Sequence, residues 1–170
     1  MFVYVENVFS DEVINFLVDT YAKVLENDNS SYVVWPKEMT NNNTLPEAFS
    51  TTVSGADRIK VLNDLVNNQT LPFNDYKKIK SAQLAVQKLL PGCLIPEHND
   101  KCIASLTVFL NKENVNGGEF VWEDKGIEIT VVPKYNCGVY ALYNEGTVGN
   151  MHKVNKVSGD ATRYTLQMFI

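Results

Sequence analysis

The chain has 170 residues, of which 45% are hydrophobic and 21% charged, and its formal net charge is −5. This composition is typical of a globular protein that can bury a substantial core, so we expect a single domain over residues 1–170. The acidic balance weighs against duplex nucleic acid as a partner, although a single flipped base stays open. No apolar run reaches the roughly 20 residues that span a bilayer, and the N-terminus lacks signal-peptide features. The three cysteines form no close pair, so we expect a reducing compartment and a cytoplasmic protein.

The first 80 residues predict a short strand, two helices and a long polar segment. Residues 2–5 are typical of a strand. An N-capping serine, an acidic first turn and an apolar stripe predict a helix over residues 10–26, and a second amphipathic pattern covers residues 56–67. Residues 27–55 are rich in Asn, Ser and Thr and predict a loop. Its aromatic side chains either close over a substrate as a lid or anchor the loop to the core.

After residue 80 the pattern changes to short apolar segments broken by Gly, Pro and Asn. Many short strands at near-regular spacing indicate a sandwich or barrel. Residues 76–90 also fit a helix, and we interpret their second half as strand. The predicted fold is α+β but mainly β: a double-stranded β-helix, or jelly roll, over 81–170 beside a helical buttress and loop over 1–80. The predicted strands are 83–90, 102–110, 119–122, 127–132, 138–143, 150–154 and 162–170.

The two histidines of the chain suggest a metal site. His98 is followed two residues later by Asp100, and positions i and i+2 of an extended backbone face the same side. With His152, they would provide the two histidines and one carboxylate that hold iron in non-haem Fe(II) oxygenases. Each residue alone is explained equally well by a structural hydrogen bond, and a zinc hydrolase could use the same three ligands.

The C-terminal strand adds a charge that a zinc site does not require. Residues 163–170 alternate, with Arg163 and Thr165 on the face opposite the large apolar side chains. An arginine is stable on a buried face only with an anionic partner, and its planar guanidinium matches a carboxylate. A dicarboxylate that chelates iron at one end would need this contact at its other end.

From about Gln83 onward the chain resembles the Fe(II)/2-oxoglutarate-dependent dioxygenases, in particular their prolyl 4-hydroxylase-like branch. In that family a strand and a Pro-Gly turn lead into His-x-Asp. Next come a Tyr-Leu-Asn segment and a Gly-Gly-Glu. These are followed by a Pro and a Gly before a strand that ends in an aromatic residue. The pattern closes with a distal His, which is followed by Val, Gly and a basic residue. The matching segments here are Val86–Asp100, Phe109–Asn111, Asn116–Glu119, Pro133–Tyr143 and His152–Tyr164.

The resemblance implies a role for five residues. His98, Asp100 and His152 would hold Fe(II), and Arg163 would bind the distal carboxylate of the co-substrate 2-oxoglutarate. Thr165 could add a hydroxyl beside Arg163. Beyond the metal ligands, no separate catalytic residue is predicted.

One departure from the family pattern concerns the co-substrate. The family tyrosine whose hydroxyl often helps to hold 2-oxoglutarate is Phe109 here. Ser105 and Thr107 lie on the same predicted strand face, and we expect one of them, with Thr107 preferred, to replace that hydroxyl.

The implied activity is hydroxylation of an unactivated C–H bond with dioxygen, Fe(II) and 2-oxoglutarate, for which ascorbate is a possible additional reductant. A prolyl residue in a peptide or protein is the preferred substrate. A free amino acid, another small molecule or a nucleobase is the alternative. A non-catalytic jelly-roll binding module is the alternative from another class. A Cys102 thiol nucleophile fits less well than a small core residue.

Overall fold

A computed structural model of the protein describes residues 1–23, 33–34, 48–68, 71, 76–100, 102–143 and 151–170. The helices are α1 (Asp11–Leu17), continued by a π-helical turn (Val18–Ala22), α2 (Gly55–Asn68) and α3 (Tyr76–Ser81). The strands are β1 (Phe2–Glu6), β2 (Val33–Val34), β3 (Ala48–Val53), β4 (Gln83–Leu89), β5 (Ile95–His98), β6 (Ala104–Phe109), β7 (Asn116–Gly117), β8 (Phe120–Asp124), β9 (Ile127–Val131), β10 (Cys137–Leu142), β11 (His152–Val154), β12 (Val157–Ser158) and β13 (Arg163–Phe169). Within the described ranges, no helix is long and apolar enough to cross a membrane.

Two antiparallel sheets form the body of the molecule. The larger sheet has the strand order β1-β10-β6-β13-β4-β3-β2, and the smaller has the order β5-β11-β8-β9. Strands β7 and β12 form a separate short pair. Side chains of both sheets line one common cavity, so their inner faces lie opposite each other. This arrangement confirms the predicted mainly β jelly roll.

The helices cover the outer face of the larger sheet. Leu166 and Met168 of β13 point into this outer core together with Ile14 and Leu17 of α1. Ser10 caps α1 by accepting a hydrogen bond from the backbone N–H of Val13 at 3.4 Å. The apolar side of the strand therefore packs on the helices, and the other side faces the space between the sheets.

The inner face of β13 is polar and buried. Arg163, Thr165 and Gln167 are 0%, 0% and 8% exposed. The alternation predicted for this strand is confirmed, but its polar side faces the interior of the jelly roll. Because buried polar groups need partners, this face is where a polar ligand site is expected.

Every strand predicted after residue 80 is present. The predicted loop over 27–55 is wrong at its end, because residues 48–53 form β3 and pair with β4. Because β3 is rich in Ser and Thr, its own sequence does not predict a strand. Its pairing with β4 in the folded protein determines its conformation. Residues 24–32 and 35–47 lie outside the described residues, and with them most of the proposed lid.

Candidate metal and co-substrate site

The three predicted metal ligands come together at one end of the smaller sheet. His98 ends β5, Asp100 follows two residues later, and His152 begins β11. Because β5 and β11 are antiparallel neighbours, His152 lies directly opposite His98 in the register. Strand β5 was not predicted, since Pro96 and Glu97 interrupt its apolar pattern.

The distances fit a shared metal ion. Candidate ligand atoms of the three residues lie within 4.8 Å of one another. Asp100 Oδ1 is 3.6 Å from His98 Nε2, and Asp100 Oδ2 is 3.6 Å from His152 Nε2. His98 Nδ1 lies 2.8 Å from the Pro96 carbonyl oxygen. A proton on Nδ1 would leave the Nε2 lone pair facing Asp100, which is the tautomer that a metal ligand needs.

Aromatic rings fix the second imidazole. His152 is 4% exposed and stacks on Phe120, with ring centroids 4.8 Å apart and an interplanar angle of 13°. Phe2 contacts the same imidazole edge-on at 5.9 Å. These contacts restrict rotation of the ring, so the ligand is largely preorganised.

The carboxylate and the first imidazole stabilise each other's charge. Burial lowers the pKa of His98, but hydrogen bonds to Asp100 and the Pro96 carbonyl and the Asp100 charge outweigh it, so the pKa is raised. Burial raises the pKa of Asp100, but the hydrogen bond and charge of His98, the charge of His152 and the Tyr143 hydrogen bond lower it overall. In the absence of metal the group therefore favours a charged His98–Asp100 pair.

A row of polar side chains leads from the metal ligands along β13. Gln87, Thr107 and Gln167 line a cavity together with the metal ligands. Thr107 Oγ1 donates to Gln167 Oε1 at 2.8 Å, and Gln167 Nε2 lies 3.5 Å from Thr165 Oγ1. The cavity itself measures only about 20 Å³, and Gln87 and Gln167 are among the side chains that line it.

The two glutamines were missed at the sequence level. Gln167 could have been found, because the period of two places it on the same strand face as Arg163 and Thr165. Gln87 could not, since the inner side of β4 is known only from its register against Thr165. Gln87 Oε1 is buried, and no described residue forms a hydrogen bond with it.

Arg163 is a fully buried cation, and none of its three guanidinium nitrogens has a hydrogen-bond partner among the described residues. The negative charge of Glu119 acts on it through space. The guanidinium carbon lies 5.3 Å from the centre of the Phe109 ring, so the residue at the family's tyrosine position packs against it. Burial lowers the pKa of Arg163 to about 10, and the side chain stays charged at neutral pH.

Of the two predicted substitutes for the missing tyrosine hydroxyl, only Thr107 lines the cavity. Ser105 instead lies 3.0 Å from the hydroxyl of Tyr143, which in turn donates to Asp100 Oδ2 at 3.1 Å. Tyr143 was not predicted as a site residue. Burial and the Asp100 charge raise its pKa, so its hydroxyl keeps its proton.

An open groove of about 800 Å³ reaches the metal ligands from outside. Asp100 and Phe169 border both the groove and the inner cavity, so the two are adjacent. The groove wall includes the half-exposed Ile103 and the partly buried Ile170. Asp100 is the only charged side chain among the described residues that line it.

The fold is shared with solved structures of 2-oxoglutarate oxygenases. A prolyl-4-hydroxylase from Pseudomonas putida superimposes with a TM-score of 0.72 at 12% identity, covering 99% of this chain and 90% of that one. A prolyl hydroxylase from Trichoplax adhaerens, solved with a hypoxia-inducible-factor peptide fragment, gives 0.71 at 13% identity over 99% and 82%. The α-ketoglutarate-dependent epimerase SnoN of nogalamycin biosynthesis gives 0.63 at 11% identity over 98% and 76%.

No protein-family model matches the chain. No curated protein sequence matches it either. The similarity therefore lies in the fold, where the predicted resemblance to 2-oxoglutarate oxygenases of the prolyl hydroxylase type is confirmed over nearly the whole chain.

Proposed function

We propose that this protein is an Fe(II)- and 2-oxoglutarate-dependent dioxygenase. His98, Asp100 and His152 would hold Fe(II), while Arg163 and Thr165 would bind the distal carboxylate of 2-oxoglutarate. The observation that carries the proposal is the fully buried Arg163 guanidinium, which has no hydrogen-bond partner within the part of the chain that the structure describes. A buried unpaired charge is strongly destabilising, so a binding role explains why the position carries an arginine.

Arg163 also separates this proposal from its alternatives. A zinc hydrolase needs only the metal ligands and a water, and it gives no reason for a buried cation on the facing sheet. A non-catalytic binding module needs neither the cation nor an assembled group of metal ligands. Only a ligand with a metal-chelating end and an anionic end uses both features of the cavity.

The buried polar face of β13 connects the metal ligands with Arg163. Arg163, Thr165 and Gln167 follow one another at every second position of this strand, so their side chains lie on one face. Gln167 lies next to the metal ligands, and Thr165 lies between it and Arg163. Thr107 and the two glutamines supply neutral polar contacts along the way, and the glutamine side chains must rotate to admit the ligand.

Each residue of the site would have a separate role in the proposed reaction. When bound, the iron and 2-oxoglutarate supply the oxidation of an unactivated C–H bond by dioxygen. Arg163 fixes the far end of the co-substrate, and the stacked His152 keeps the metal site in place. Phe120 and Phe169 provide apolar walls that exclude water from the reacting centre. The three protein ligands leave the remaining coordination positions open.

For the substrate we propose a prolyl residue in a peptide or protein. The groove beside Asp100 is largely uncharged and has apolar residues along its wall, which suits a neutral, compact ring better than an anionic metabolite. One structural neighbour was solved with a peptide fragment. A small molecule is the second candidate, favoured by the neighbour that is an epimerase.

The proposal is tested by anaerobic titration of the metal-free protein with Fe(II) and then 2-oxoglutarate. We expect the weak visible charge-transfer band of the chelated complex in the wild type, and its loss in His98→Ala. Arg163→Met keeps the volume and removes the charge, so it should weaken 2-oxoglutarate binding by at least about tenfold, since charged hydrogen bonds contribute about 1.5–3 kcal/mol.

Arg58→Met is the matched control, because Arg58 donates to the backbone carbonyls of Ala82 and Lys80, and none of these three residues lines the inner cavity. Its 2-oxoglutarate affinity should equal that of the wild type. If Arg163→Met binds 2-oxoglutarate as tightly as Arg58→Met, the co-substrate role of Arg163 is wrong. A wild-type protein that gives no band with Fe(II) and 2-oxoglutarate would contradict the proposed function itself.

A further inference from the structure

We propose that Tyr143 is a positioning residue of the metal site, which holds the Asp100 carboxylate so that one of its two oxygens ligates the ion. The inference rests on the proposed Fe(II) site. It concerns a residue outside the predicted ligands, placed immediately after β10 in the larger sheet. Its hydroxyl contacts a ligand that belongs to the facing, smaller sheet.

The direction of the hydrogen bonds follows from the chemistry of the groups. Tyr143 has one hydroxyl proton, and the ionised Asp100 carboxylate can only accept. The proton therefore goes to Asp100 Oδ2, at 3.1 Å. Ser105, whose Oγ is 3.0 Å from the same hydroxyl, must then donate to the tyrosine oxygen. The result is a chain from Ser105 through Tyr143 to the carboxylate, running in one direction.

Tyr143 is itself held firmly. It is 9% exposed, and its backbone N–H donates to the Ile103 carbonyl at 2.9 Å. The Phe2 ring lies edge-on to its ring at 6.4 Å. Asp100, by contrast, follows the end of β5 and belongs to no strand. The hydrogen bond from Tyr143 thus fixes a carboxylate that its own backbone leaves free to rotate.

The two carboxylate oxygens are otherwise equally placed for the metal. Oδ1 lies 3.6 Å from His98 Nε2, and Oδ2 lies 3.6 Å from His152 Nε2. A carboxylate that bound through both oxygens would occupy one more coordination position. Because the Tyr143 hydroxyl engages Oδ2, Oδ1 is left as the ligand. The protein then uses three positions, which leaves room for a two-point chelating co-substrate and dioxygen.

The test compares Tyr143→Phe with Tyr140→Phe. Tyr140 lies on β10, the strand that ends just before Tyr143, and is buried in the outer core, so it controls for the loss of a buried hydroxyl. We expect Tyr143→Phe to weaken anaerobic Fe(II) binding by about 10–100-fold, the range seen for outer-shell partners of metal ligands. The charge-transfer band with 2-oxoglutarate should also shift in wavelength. Tyr140→Phe should leave both the affinity and the band unchanged.

Ser105→Ala provides a second variant, which removes the donor behind Tyr143 and keeps the tyrosine ring in place. We expect a smaller loss of Fe(II) affinity in the same direction. Tyr143→Phe that binds Fe(II) with wild-type affinity and an unshifted band would overturn the proposal, even if turnover were lost, because the hydroxyl would then act on the substrate. A wild type that binds no Fe(II) would overturn the proposed function and this inference with it.

Discussion

His98 links metal binding to pH, because its imidazole must lose its proton to bind an ion. The hydrogen bonds and charge of Asp100 hold the pKa of His98 above its ordinary value of 6.5 despite burial. A raised pKa means that protons compete with the metal at higher pH. We therefore expect Fe(II) affinity to fall as the pH is lowered, with its midpoint above pH 6.5.

The measurement is an anaerobic Fe(II) titration at a series of pH values between about 5 and 8, the window that brackets an ordinary histidine pKa. In Asp100→Asn the carboxylate charge is gone, so the midpoint should move downward while the affinity falls overall. A midpoint below 6.5 in the wild type would show that burial of the imidazole outweighs its pairing with Asp100.

The site residues differ in how far the sequence predicts them. His98, Asp100 and Arg163 follow from local spacing, since a period of two in an extended backbone puts His98 and Asp100 on one side and Arg163 on the polar face of its strand. Gln87 and Tyr143 have no such local signal. Gln87 reaches the cavity through its register opposite Thr165, and Tyr143 reaches Asp100 across the two sheets. Contacts that depend on strand register and sheet packing cannot be inferred from the spacing of residues in the sequence. Only the structure therefore identifies Gln87 and Tyr143 as site residues.

At the level of elements, Gly118 explains the Gly-Gly-Glu segment that precedes β8. Its φ is +69°, a conformation that only glycine adopts readily, and a Cβ there would lie 2.6 Å from Arg163 Cδ. We expect Gly118→Ala to destabilise the protein by more than about 1 kcal/mol, the cost of the left-handed backbone alone. It should also weaken 2-oxoglutarate binding more than Fe(II) binding, because it displaces Arg163.

Gly126→Ala is the matched control for this variant. Gly126 has a φ of +81°, but a Cβ there meets nothing within 4 Å. Gly126→Ala should therefore lose stability because of the backbone conformation alone, without any loss of 2-oxoglutarate affinity. Thermal unfolding measures the stability, and the anaerobic titration measures the affinity. Equal 2-oxoglutarate affinities in the two variants would mean that Arg163 tolerates the displacement.

The elements that the sequence mispredicts have weak patterns of their own. Strand β5 contains Pro96 and Glu97, and β3 contains Ser50, Thr51 and Thr52. Pairing with β11 determines the conformation of β5, and pairing with β4 determines that of β3. The strands with strong alternation, such as β13, were predicted correctly because one whole side of each is apolar.

At the scale of the whole molecule, the proposed ligands connect the two sheets. The metal ligands lie on β5, just after it and on β11, whereas Arg163 and Thr165 belong to β13 of the facing sheet. We therefore expect 2-oxoglutarate to raise the melting temperature beyond the effect of the metal alone. At 100 times its Kd the gain is about 2.7 kcal/mol, or about 5–10 °C for a domain of this size.

Thermal unfolding with Mn(II) in place of Fe(II) tests this without turnover. The wild type should gain stability from 2-oxoglutarate only when the metal is present, and Arg163→Met should gain less, about 1.4 kcal/mol or below at the same concentration if its Kd is at least about tenfold higher. If 2-oxoglutarate raised the melting temperature of Arg163→Met as much as that of the wild type, the co-substrate would not connect the two sheets through this arginine.

The Arg163 guanidinium also links the stability of the folded protein to the cellular concentration of the proposed carboxylate ligand. A buried cation without a hydrogen-bonded counter-ion lowers the free energy of unfolding, and a bound carboxylate would raise it again. The arginine would thus make the ligand-free protein less stable and the complex more stable. Cellular proteases act on the unfolded fraction. If the proposed function is correct, the abundance of the protein, and not only its turnover rate, should therefore follow the supply of its dicarboxylate co-substrate.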